Sequence, residues 1–227
     1  DLKSPLFAQI NILNSLLREE YGCLNPEQKE MLRLSCESCR YMTNLVTNIL
    51  DGYRFKNFAI KPVCEEFNLF DVINSVCANN EYLARDKEQK IALNFSGENF
   101  CIYGDKLQIE RVIFNLLSNA ITYGLKNSVI SVELGQKNNG IHFSISNKSR
   151  FIDKKDLKNL FNQFEVGENS KYNPLSTGLG LYVSKKIIDM HHGKIYAKFG
   201  GDNIYTVGFY LPCGVLKKNI KNYNVSL

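Results

Sequence analysis

The chain has 227 residues, 44% of them hydrophobic and 22% charged, with a formal net charge of +5 and a pI near 8.7. That composition excludes a disordered polymer and leaves room for one large or two modest domains. The positive balance suits an anionic ligand or an acidic partner, but there is no Lys/Arg block of the kind that tracks a nucleic-acid backbone, and no apolar run reaches the ~18 residues that span a bilayer.

The first segment, DLKSPLFAQINILNSLL, sets Leu2, Leu6, Ile10, Leu13 and Leu17 at intervals of four and three, which is one stripe of a helix. Pro5 lies near its start. Proline suits a first turn, whereas deeper in a helix it removes an N–H and kinks the backbone, and both readings stand at this point. A second helix is expected from Pro26, capped by Asn25, to about Arg54, carrying Met31, Leu34, Met42, Leu45, Ile49 and Tyr53. The two make a hairpin whose apolar faces are too wide for each other alone, so dimerisation into a four-helix bundle is expected, with packing on the second domain as the competing solution. Cys36 and Cys39 form a CxxC inside the second helix without a further pair or a nearby histidine, and they read as packing residues, not as a zinc or redox site. Seven scattered cysteines make no disulfide framework and point to a reducing compartment, the cytosol.

From Lys61 the apolar runs shorten. EEFNLFDVINSVCANNEYLARDK is expected to be a helix, KIALNFSG and CIYGD strands, and KLQIERVIFNLLSNAITYG a helix. SVISVELGQKNNGIHFSISN reads as a hairpin about Asn138, Asn139 and Gly140, and GKIYAKFGGDNIYTVGFYLP as a second about Gly200 to Asn203, with the helix GLGLYVSKKIIDMHHG between them. The predicted fold class is α+β: a helical hairpin over residues 1-60, an α/β sandwich over 61-214, and a polar, basic, frayed tail over 215-227.

Two stretches carry chemistry. Asn115 and Asn119 are four residues apart on one helix and so share a face, yet they interrupt a run that otherwise marks burial. Such amides either cross-link the fold or present hard oxygen ligands to a hydrated magnesium carrying phosphates. Gly178 and Gly180 precede a helix whose free N–H groups would attract an anion, although glycines before a helix are also common turn chemistry. The polar loop VGENSKYNPLS just before them could close over a ligand, and Lys171 is its only cation.

Taken in order, DLKSPL, IERVIFNLLSNAITYG, LFNQF and STGLGLYVSKKII followed by HHGKI resemble the phosphoacceptor helix and the N, F and second glycine boxes of sensor histidine kinases. The resemblance covers nearly the whole chain. It implies a Bergerat-type ATP-binding domain after a dimerising hairpin, together transferring the γ-phosphoryl group of ATP to a histidine and then to the aspartate of a response-regulator receiver domain. In the family that histidine directly precedes the residue matching Asp1; His142, His191 and His192 do not fall there and read as structural or surface residues. The acceptor, the sensor region and any inner-membrane anchor are therefore expected upstream. By the same resemblance Asp1 assists proton removal from the acceptor imidazole, Asn119 with Asn115 holds magnesium, and Tyr123 faces the adenine. Thr177, Gly178, Leu179 and Gly180 admit the phosphates, Phe161 and Phe164 anchor the lid, and Lys171 is its cation.

Departures from the pattern bear on affinity. If Ile152 stays in register, the family's Asp-x-Gly-x-Gly aligns with Asn147 through Phe151, so the adenine-reading aspartate is Asn147 and both glycines are gone. One amide oxygen in place of a carboxylate costs about 1–3 kcal/mol of recognition. Thr122 stands where a phosphate-contacting lysine is common, and Ser4 where threonine is frequent. Two functions follow: an ATP-dependent histidine kinase core, or a degenerate kinase that docks a regulator with weak or no ATP binding.

Overall fold

The computed structural model describes residues 3–57, 62–137, 140–150, 157, 159–163 and 178–212. They fall in two compact units, Asp1–Ala59 and Ile60–Leu227.

The first unit is two helices, α1 (Lys3–Leu17) and α2 (Pro26–Asn57). Asn25 starts α2 with a reciprocal capping box: Gln28 N–H donates to Asn25 Oδ1 at 2.7 Å, and Asn25 N–H donates to Gln28 Oε1 at 2.9 Å. Pro26 then takes the first helical position and Pro5 the third residue of α1 as described, both sites that tolerate a missing N–H. Cross-contacts run antiparallel, Cys39 Sγ to Gln9 Oε1 and Cys36 Sγ to Asn14 Oδ1, both 3.6 Å. Cys36, Cys39 and Thr43, spaced three and four apart, are the buried line of α2, while Met31 (67%), Leu34 (53%) and Met42 (40%) are exposed. The apolar face expected to exceed what α1 covers thus leaves Met31, Leu34 and Met42 exposed, while the contact with α1 runs through Cys36 and Cys39.

The second unit is a five-stranded sheet in the order β2-β4-β5-β7-β6, formed by Lys90–Ser96, Val129–Lys137, Gly140–Lys148, Ile204–Pro212 and Lys194–Phe199. Only the β2–β4 pair is parallel. Inward residues Ile130, Val132, Leu134, Ile141, Phe143, Ile145, Val207 and Phe209 are fully or almost fully buried, which is the period-two pattern of a sheet covered on one face. The helices α3 (Leu69–Asp86), α4 (Lys106–Tyr123) and α5 (Gly180–Met190) supply their own buried stripes as the cover.

One expected helix begins later than its pattern suggested. Glu65–Asn68 is strand β1, paired antiparallel with β3 (Cys101–Gly104), and α3 starts only after Asn68, whose Oδ1 accepts from Phe70 N–H at 3.0 Å. A strand of four residues carries too little alternation to be told from a helical first turn, and the asparagine cap was the available signal. The Asn138–Asn139 turn and the tail from 213 onward lie outside the described residues.

Candidate functional site

Helix α4 is the axis of the site. Asp105 caps its start, Oδ1 accepting from Gln108 N–H at 3.1 Å, and Ile109, Val112, Ile113, Leu116, Leu117, Ala120 and Ile121 bury its inner face. Asn115, Asn119 and Tyr123 lie on α4 outside that stripe and are half-buried. At 1.5 Å per residue they cover about 12 Å of one helix side.

At the Asn115 end stands the start of α5. Asn115 Nδ2 donates to Ser184 Oγ at 2.9 Å, which turns its Oδ1 toward Gly180; a β-carbon there would sit 2.4 Å from that oxygen. Gly178 has a left-handed φ of +64°, and Leu179 gives no side-chain cap to the first N–H groups of α5. Asn119 makes no side-chain hydrogen bond among the described residues. A helix N-terminus without a side-chain cap from its N-cap residue, beside two amides, is fit to hold phosphates and a hard divalent cation.

At the Tyr123 end, Gly124 bridges Ser149 and Leu125 N–H donates to Lys148 O at 2.9 Å, tying the end of α4 to the end of β5. Asn147, 2% exposed, lies there; its Nδ2 donates to Lys148 O at 3.2 Å, and its Oδ1 has no partner among the described residues. A buried acceptor lacking a donor is costly unless a ligand N–H completes it, and this oxygen fits the amine of a base. No residue from Asn147 to Arg150 has a positive φ, so the backbone at Ser149, the first replaced glycine position, does not require glycine; Phe151, the second, lies outside the described residues. Ser149 is itself buried and donates from Oγ to Arg150 O at 3.0 Å.

Residues 104–213 match the family of histidine kinase-, DNA gyrase B- and HSP90-like ATPases. The chain is 28% identical over 207 residues to the sensor histidine kinase YvrG of Bacillus subtilis, covering 91% of this chain and 36% of that protein. Among solved structures, the catalytic domain of histidine kinase ThkA aligns with TM-score 0.59 at 26% identity, over 66% of this chain and 97% of that one. The chain carries a sensor histidine kinase catalytic domain. A further ThkA structure, in complex with response regulator protein TrrA, shares the fold with TM-score 0.63 at 22% identity, over 93% of this chain and 60% of that one. The chain spans about a third of the length of YvrG.

In the kinase domain Asn115, Asn119, Tyr123, Asn147, Gly178, Leu179 and Gly180 are thus distributed along α4, the start of α5 and the end of β5. Asp1, Phe164, Lys171 and Thr177 lie outside the described residues, as does most of the expected lid, and Phe161 is half-buried.

Sequence reasoning passed over two residues, Lys87 and Gln89, and left the partners of a third, His191, unread. Lys87 Nζ donates to Ile121 O at 3.2 Å and Thr122 O at 2.9 Å, and Gln89 Nε2 to Ile121 O at 3.3 Å and Leu125 O at 3.2 Å, so the turn after α3 caps the end of α4. Burial, and then Lys126, holds the Lys87 ammonium below its ordinary pKa. At the opposite end His191, 1% exposed, accepts from Asp105 N–H at Nε2 (2.9 Å) and donates from Nδ1 to Ile187 O (2.7 Å), locking α5 to the start of α4. Lys87 and Gln89 belong to no motif or apolar stripe, so the sequence carried no signal for either.

No helix among the described residues is long and apolar enough to cross a membrane.

Proposed function

We propose that this chain is the kinase core of a two-component sensor histidine kinase. It binds magnesium ATP along α4 and transfers the γ-phosphoryl group to a histidine immediately upstream of Asp1, from which a response-regulator aspartate takes it. The observation that carries the reading is the Asn115–Gly180–Ser184 arrangement at one end of α4 with the orphaned Asn147 oxygen at the other. Asn115 and Asn119 would hold the metal through amide oxygens; when bound, magnesium neutralises phosphate charge during transfer. Gly178 and Gly180 let the backbone approach the phosphates, with Thr177 and Leu179 beside them and Lys171 as the lid cation. Tyr123 lies against the base, and Asn147 Oδ1 accepts from its amine. Asp1 takes part of the proton from the acceptor imidazole, leaving the other ring nitrogen the better nucleophile.

The structural relative ThkA, whose complex holds a response regulator, supports a receiver domain as the partner. Exposed Phe7, Ile12, Met31, Leu34 and Met42 on the two helices support a homodimeric four-helix bundle. The domain is read as cytoplasmic, with any inner-membrane anchor upstream. A second reading, a regulator-docking module with weak ATP binding, draws on Asn147 and Ser149 in place of aspartate and glycine.

The discriminating experiment is nucleotide binding by paired variants. Asn119→Ala is expected to abolish magnesium-dependent binding of an ATP analogue, whereas Cys36→Ser, which changes only the α1–α2 contact, leaves it intact. Equal behaviour of the two would remove the site from α4.

A further inference from the structure

The buried stripe of α5 is Val183, Ser184, Ile187 and Ile188, in which the serine is the odd member. Ser184 is 2% exposed, and its one hydrogen bond among the described residues is the 2.9 Å contact in which Asn115 Nδ2 donates to its Oγ. Alanine would pack in that stripe and favour the helix, so the hydroxyl is explained by the amide it meets. The same contact sets which end of the amide faces the start of α5. The oxygen of an amide accepts hydrogen bonds and ligates cations, whereas its nitrogen donates and offers a cation nothing, and the two ends are alike in shape. With Nδ2 spent on Ser184, Oδ1 is the end that lies at Gly180, where the positive end of the helix dipole favours it. Asn119, one turn further along α4, makes no side-chain hydrogen bond among the described residues and has no such fixing.

We propose that Ser184 is a positioning residue of the nucleotide site: by accepting from Nδ2 it holds the Asn115 oxygen at the phosphate end, and so makes nucleotide binding respond to magnesium. The proposal rests on the magnesium-nucleotide reading above and adds to it a residue that acts only through Asn115. Without the hydroxyl the amide turns over at little cost. Its nitrogen then faces the start of α5, where it donates to a phosphate oxygen but gives magnesium no lone pair. Loss of the hydroxyl therefore trades a metal-dependent contact for a metal-independent one, whereas loss of packing alone weakens binding with and without metal alike.

The test measures the affinity of the whole chain for a non-hydrolysable ATP analogue with and without magnesium, and takes the ratio of the two as the magnesium enhancement. Ser184→Ala is expected to reduce that enhancement about fivefold, with metal-free affinity within about twofold of wild type. Ser184→Cys, whose thiol fills similar space but accepts hydrogen bonds weakly, is expected to fall with alanine. An unchanged enhancement in Ser184→Ala, or a wild-type enhancement in Ser184→Cys, makes Ser184 a packing residue and overturns the proposal. Wild-type protein supplies a second readout that needs no variant to fold: the Asn115 side-chain amide should exchange its hydrogens with water more slowly than that of Asn119 in the absence of ligand. Equal exchange of the two amides denies that Ser184 holds Asn115. The two levels fail separately, because a wild type with no magnesium enhancement contradicts the metal reading itself, while a wild-type enhancement that both variants keep sinks the role of Ser184 alone.

Discussion

At residue scale, Asn147 and Gly180 place opposite demands on the site. Asn147→Asp would set a carboxylate oxygen where Nδ2 now donates to Lys148 O, so the family's usual residue is expected to destabilise this protein by about 1–3 kcal/mol, read as a lower denaturation midpoint. Asn147→Ala removes one bond and one orphaned oxygen together; its stability should stay within about 1 kcal/mol of wild type while adenine-nucleotide affinity falls. Gly180→Ala brings a β-carbon to 2.4 Å from Asn115 Oδ1, so Asn115 must leave Ser184 or α5 must shift. The expected cost is about 1–3 kcal/mol together with loss of magnesium-dependent binding, and a binding-competent Gly180→Ala would show that this contact does not shape the site. The Gly-Leu-Gly pattern was legible in the sequence; the reason for its second glycine was not, because Asn115 is remote in the chain.

At the scale of elements, α4 is held at both ends by residues from elsewhere. His191 joins the end of α5 to Asp105, and burial lowers its pKa below 6.5, against the upward pull of the Ile187 carbonyl and Asp105 and with a small further lowering from His192. A folded-state pKa below the unfolded one means the unfolded chain binds more protons in that window, so stability is full above pH 6.5 and declines as pH falls through it. Urea midpoints should therefore drop between about pH 7.5 and about pH 5.5, and His191→Gln should flatten that drop; an unchanged drop in the variant would assign it elsewhere. The histidines before Gly193 read as structural or surface residues from sequence; His191 is buried, and its partner Asp105 is 86 positions away and could not be read. The same separation hid β1, which exists because Cys101–Gly104 lies beside it.

For the whole molecule, periodicity made the two helices and the covered sheet legible, and motif spacing placed the candidate residues on α4 and at the start of α5, since each rests on local spacing. What was not legible depends on distant approach: which face of α2 meets α1, and how the turn at Lys87 and Gln89 reaches the end of α4. The exposed Met31, Leu34 and Met42 are the expected seam of a dimer, so Leu34→Glu should shift sedimentation from dimer toward monomer; a wild-type monomer would leave that face without its proposed partner. The most direct test of the molecule as a magnesium-ATP site is a calorimetric titration of this chain with a non-hydrolysable ATP analogue, with and without magnesium. Binding that depends on magnesium is the predicted result. Absence of binding at millimolar analogue would contradict the kinase reading and favour a module that docks a regulator without nucleotide.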